Sequence, residues 1–133
     1  MLQVIYTAFF FLTLSLYAQE GDNPRYDPDT VDTVQGTVLL VGKHMSPLHE
    51  RYGIYLRLHS DHGEVDVDLG PDWYLRKQSV KVSTGDRIEV TGSQINYRGS
   101  SILVAAEVRK NGQVLYLRHK LDGSPYWLTT KLQ

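Results

Sequence analysis

The chain has no cysteine. Disulfides, thiolate metal sites and lipid attachment at a cysteine are therefore excluded. Strong net charge is also missing: fourteen Lys and Arg nearly balance fifteen Asp and Glu, for a net charge of −1. That argues against general affinity for nucleic acid. No nucleophile elbow, zincin helix or phosphate loop occurs. Without such a constellation, Ser, His and Asp read as surface residues, and the chain is read as not an enzyme. No fixed-period repeat is present. Tyr-Leu-Arg occurs at 55–57, 74–76 and 116–118 with unequal spacings, as alternating strands produce by chance.

Charge is absent altogether from residues 1–18. Residues 4–17 are almost wholly apolar, with Phe9, Phe10 and Phe11 at their centre. This is the length of a signal-peptide core and short for a spanning helix. Residues 1–18 are expected to be a signal peptide, with the mature chain starting at Gln19 in the periplasm or outside the cell. An uncleaved membrane anchor is the alternative. After cleavage no stable membrane span is expected.

The 133-residue chain is enough for one domain, and as a whole it has the ordinary 41% hydrophobic and 22% charged residues of globular proteins. Residues 19–32 are polar and acidic, contain Pro24 and Pro28, and have little to bury. They are expected to be a flexible lead-in. The domain is placed at 33–128 and a tail at 129–133. Residues 19–72 hold eleven acids and four bases, and residues 73–133 hold ten bases and four acids. Either the signs mix once strands pair, or the second half presents a basic face.

Strand signals follow in order. Over residues 34–41, Val34, Gly36, Val38 and Leu40 share one face. Residues 42–51 read as a loop holding His44 and His49. Residues 53–60 place Ile54, Leu56 and Leu58 on one face and Tyr55, Arg57 and His59 on the other. After a turn at 60–63, residues 64–69 return with Val65, Val67 and Leu69 inward and Glu64, Asp66 and Asp68 outward. Such alternation means one buried face and one wet face. Gly70 and Pro71 end it, and Pro71 is suited to open a short helix over 71–78. Further strands are expected at 87–92, 101–108 and 113–118, with Asn111-Gly112 as a hairpin turn.

The fold class is thus all-β with one short helix: an OB-fold-like five-stranded barrel plus an extra C-terminal hairpin strand. The helix at 71–78 decides against an SH3-like barrel. Trp73, in the helix's first turn, is expected to plug the barrel mouth, with Tyr74 more exposed.

OB barrels bind ligands across strands two and three. The candidate ligand-binding residues are therefore Tyr55, Arg57, His59, Asp66 and Asp68. The carboxylates repel phosphates, so a peptide, saccharide or cationic partner fits better than nucleic acid. The competing reading is a solvated face of cross-strand ion pairs. A metal site would draw on His44, Met45 and His49, or on His59 and His62 with Asp61, Asp66 and Asp68. The spacing matches no closed site, so no metal and no other cofactor is assigned.

Several stretches form a set: residues 69–75 (Leu-Gly-Pro-Asp-Trp-Tyr-Leu), 85–93 (Gly-Asp-Arg-Ile-Glu-Val-Thr-Gly-Ser), 105–108 (Ala-Ala-Glu-Val), and 115–118 (Leu-Tyr-Leu-Arg) followed by 123–127 (Gly-Ser-Pro-Tyr-Trp). Over about 33–127 this set resembles a family of small exported bacterial OB-fold proteins, some labelled DNA-binding. It is also similar to the domain of magnetosome proteins S and X. The resemblance implies export and an OB-like barrel, and it carries no catalytic residues. Haem-bearing relatives need Cys-x-x-Cys-His, so covalent haem is excluded here. The expectation is a monomeric exported binding or scaffold protein of the bacterial cell envelope, acting on an envelope protein, peptide or saccharide. A periplasmic metal-handling protein using the loop histidines is the alternative.

Overall fold

The structure is a computed structural model that describes residues 26–45 and 52–128. The signal-peptide region, His49 and the tail at 129–133 lie outside the described residues. Six strands are described: β1 (Val31–Met45), β2 (Tyr52–Ser60), β3 (Gly63–Pro71), β4 (Arg87–Tyr97), β5 (Ser100–Lys110) and β6 (Gln113–Tyr116). One short helix, α1 (Asp72–Arg76), follows β3.

The strands close into an uneven ring. β1 pairs antiparallel with β2 on one edge and β4 on the other. β2 pairs with β3, and β4 with β5, again antiparallel. A parallel contact between β3 and β5 completes the circuit, and it spans only Asp66–Ile102, Val67–Leu103 and Asp68–Val104. β6 adds to the outer edge of β5. This is the expected OB-like barrel with its extra hairpin strand.

Period-two alternation explains the core. Leu56 and Leu58 of β2 and Val67 and Leu69 of β3 are buried. In β5, every residue from Leu103 to Val108 is buried. That strand is flanked by β4, β6 and β3, and Glu107 is the one charged residue in the buried stretch.

Four expectations are corrected. First, Leu40 does not share the buried face of β1. The β1–β2 register slips between Val38 and Leu40, and this bulge turns the strand so that Leu40 is exposed. Second, residues 42–45 belong to β1 rather than to a loop. Third, the lead-in is ordered from Tyr26 onward. Pro28–Thr30 form a single 3-10 turn with Asp27 as its cap, and Asp27 N–H donates to Ser93 Oγ at 2.8 Å. Composition misled here because these polar groups are satisfied on β4 instead of by water.

The fourth correction concerns α1. Pro71 does not open the helix. It stays in β3, opposite Gly53, and serves as the N-cap. The helix therefore starts one residue later, and its inward face turns with it. Tyr74 is buried in the core at 7% exposure, while Trp73 is only partly buried against it. The Tyr74 hydroxyl donates to the carbonyl of Tyr116 at 2.9 Å, so the plug also ties α1 to β6. Trp73 meets Tyr74 edge-on, with ring centroids 6.1 Å apart.

Candidate functional site

β2 and β3 carry the five candidate residues, and the hairpin register brings them together. Tyr55 lies opposite Asp68, Arg57 opposite Asp66, and His59 opposite Glu64. Arg57 Nε donates to Asp66 Oδ1 at 2.9 Å, and its NH1 lies 3.7 Å from Glu64. The hydrogen bond to Asp66, and then its charge, hold the Arg57 guanidinium even more firmly protonated than usual. Asp68 leans the other way, to Arg118 at 3.5 Å. The acids of this face are thus matched by cations of the same chain.

Tyr55 has a different task. Its ring lies directly over Gly42 of β1, where any side chain would collide with it. His44 stands beside the ring, with centroids 5.9 Å apart. Aromatic cover of this kind supplies the packing that an edge glycine lacks. His59 is exposed, and His62 lies in the β2–β3 turn with its N–H donating to Ser60 Oγ. Among the described residues no three His, Asp or Glu side chains come together as a metal ion would require.

Arg118 was not legible as a special position. Its side chain is 9% exposed and spans two strands. NH1 donates to the carbonyl of Ala105 at 2.6 Å and to that of Leu69 at 3.3 Å. The guanidinium carbon stands 4.9 Å from the centre of the Trp127 ring, a cation–π contact. Burial pulls its pKa down, and Asp68 pushes back. Arginine stays charged under such pressure. Gly70 passes under Trp127 with φ of 141°, a conformation and a space that other residues lack. The motifs at 69–75, 115–118 and 123–127 thus meet at one point in space. A hollow next to it is lined by Glu107, His119, Lys120, Asp122, Ser124 and Tyr126, with His119 stacked 4.1 Å from Tyr126. Glu107 within it is engaged by Lys120 at 3.3 Å and Arg109 at 3.4 Å.

The second half of β1 is built differently. β4 pairs with β1 only as far as Thr37. Val38 then exchanges hydrogen bonds with Asp86 and Gly85, both at 2.8 Å. Beyond Val38, residues 39–45 have β2 on one side and no strand on the other among the described residues. Leu39, Leu40, Val41 and Met45 are 38–50% exposed, as is Tyr52 across the hairpin. Sequence reasoning missed this edge because the residues read partly as core and partly as loop. Its signal was the apolar run at 38–41 continuing toward Met45 with Lys43 as its lone charge.

No helix among the described residues is long and apolar enough to cross a membrane. No curated protein and no protein of solved structure matches the chain. A family model does match, the MamS/MamX magnetosome protein family, over residues 30–115. That span runs from the last residue of the 3-10 turn into β6 and takes in the whole ring and the Arg118 partners on β3 and β5. It covers well over half of the sequence, and the chain belongs to the MamS/MamX magnetosome protein family.

Proposed function

We propose that the chain is an exported, non-enzymatic protein of the bacterial cell envelope, residing in the periplasm or outside the cell, that binds or scaffolds another protein through the open edge of β1. One observation carries the choice of surface: among the described residues, 39–45 offer backbone with no strand on one side and exposed apolar side chains together. Backbone groups on such an edge give affinity to any extended strand, and the side chains select it. The wet face of β2 and β3 suits this role less, because Arg57 and Arg118 already occupy its carboxylates. The uncharged apolar run at 4–17 supports export.

Two measurements test this reading. N-terminal sequencing of the chain from fractionated cells should place it outside the cytoplasm and starting at or near Gln19. Leu40→Lys should abolish recovery of the envelope partner and leave the thermal midpoint unchanged. Recovery of the whole chain in the cytoplasm, or a partner retained by Leu40→Lys, would overturn it.

A further inference from the structure

We infer that the occupant of the open edge is a second copy of this chain, with residues 39–45 of the two copies paired antiparallel about a two-fold axis through Gly42. The inference rests on the reading of that edge as a protein-binding surface.

The free length sets the register. Val38 is engaged by Asp86 and Gly85, and among the described residues β1 runs to Met45. A strand that uses the whole free edge must therefore be centred on Gly42. For two identical edges this puts Leu39 opposite Met45 of the second copy, Leu40 opposite His44, Val41 opposite Lys43, and Gly42 opposite itself. Such an interface is isologous and closes after two copies.

The side chains suit this register. Opposed residues share a face, so the β1–β2 pairing places Leu40, Gly42 and His44 with Arg57, Tyr55 and Gly53. Val41, Lys43 and Met45 fall with Leu56, Ile54 and Tyr52. Each apolar group then meets another, an imidazole, or the aliphatic stem of Lys43. No lysine faces a lysine. The charge of Lys43 is met within its own copy by Asp72 at 3.8 Å. Glycine on the axis lets both Tyr55 rings keep their places over the sheet. Net charge of −1 adds little repulsion between copies.

Natural edges are usually blunted by proline, bulges or charge. Here the bulge stands at the start of the free segment and no proline lies within it. Seven residues on each side form a small interface, well below the roughly 1,200–2,000 Å² of stable specific complexes. The dimer is therefore reversible and forms at raised concentration, in place of the monomer expected from the sequence.

The absence of cysteine makes the test clean. Leu40→Cys combined with His44→Cys places two thiols opposite each other across the axis. Within one strand the two positions are about 13 Å apart, too far for an internal bridge. Mild oxidation of the chain purified after export should give a disulfide-linked dimer from the double variant. Each single variant should give at least tenfold less. Sedimentation of the unmodified chain should show reversible dimerisation, weakened at least tenfold by Leu40→Lys.

Single variants that cross-link as readily as the double variant would overturn the register and the pairing. A chain that stays monomeric at its highest soluble concentration would overturn the second copy as occupant. If that monomer still loses an envelope partner on Leu40→Lys, the edge keeps its role and only this inference fails. If Leu40→Lys changes neither, both readings fall.

Discussion

Arg118 reaches Asp68 at 3.5 Å while its guanidinium carbon stands 4.9 Å from the Trp127 ring centre. One side chain thus joins β3, β5 and the C-terminal turn. Removing it strands the Ala105 and Leu69 carbonyls and leaves Asp68 without its cation. Arg118→Ala should cost about 3 kcal/mol, the lower end for breaking a buried pair, because Asp68 keeps some contact with water. Arg118→Lys should restore part of that loss, since a point charge satisfies fewer carbonyls than a planar fork. Urea melts of the three chains check both statements.

Tyr74 and Trp73 provide a second comparison. Tyr74→Ala opens a cavity under α1 and should cost about 3–5 kcal/mol. Tyr74→Phe loses only the bond to the Tyr116 carbonyl and should cost about 1 kcal/mol. Trp73→Ala should cost clearly less than Tyr74→Ala. Equilibrium unfolding ranks the three, and a larger loss at Trp73 would reverse the assignment of the plug.

Acid should weaken the fold through Asp86 and Asp122. The Asp86 carboxyl is held below its usual range first by the hydrogen bond from Lys110 and then by the Ser83 N–H. Asp122 is lowered by bonds from the Ser124 hydroxyl and N–H. A depressed folded pKa means stability that is present above the unfolded pKa, about 3.9, and lost as pH falls through the folded one. Urea midpoints should hold from pH 7 to about 5 and then fall below about pH 4. Asp86→Asn should flatten that fall and lower the midpoint at pH 7. Identical slopes in the two chains would remove Asp86 from the account.

Gly42→Ala should displace the Tyr55 ring and break its contact with His44. Overpacking of this kind costs about 1–3 kcal/mol. The measurable outcome is a lower thermal midpoint with barrel secondary structure retained. Tyr55→Ala combined with Gly42→Ala should recover part of the loss, since the alanine then meets no ring.

The parts of the fold that are local in sequence were legible. Val65, Val67 and Leu69 alternate with Glu64, Asp66 and Asp68, and a single buried face follows from period two alone. Two of the misreadings come from a shift of one residue. The bulge after Val38 exposes Leu40, and the strand's hold on Pro71 rotates α1 so that Tyr74 replaces Trp73. Neither shift leaves a mark in hydrophobic pattern. Arg118 was hidden for another reason. Its partners, Asp68, Leu69, Ala105 and Trp127, come from three segments that only closure brings together. The polar face of β2 and β3 was located correctly, but the chain's own arginines against it are a property of register and rotamer.

The parallel seam of the barrel is three residue pairs long, and Arg118 stands just past its end, bonded to Leu69 on one strand and Ala105 on the other. Order of synthesis now matters. A chain emerging from its N-terminus can build the β1–β2–β3 meander and then the β4–β5 hairpin. The β1–β4 ladder joins the two, but the short β3–β5 seam gains its Arg118 clamp only once residues 118–127 have followed. The weakest seam of the ring is thus reinforced last, by a side chain made after every strand of the ring itself.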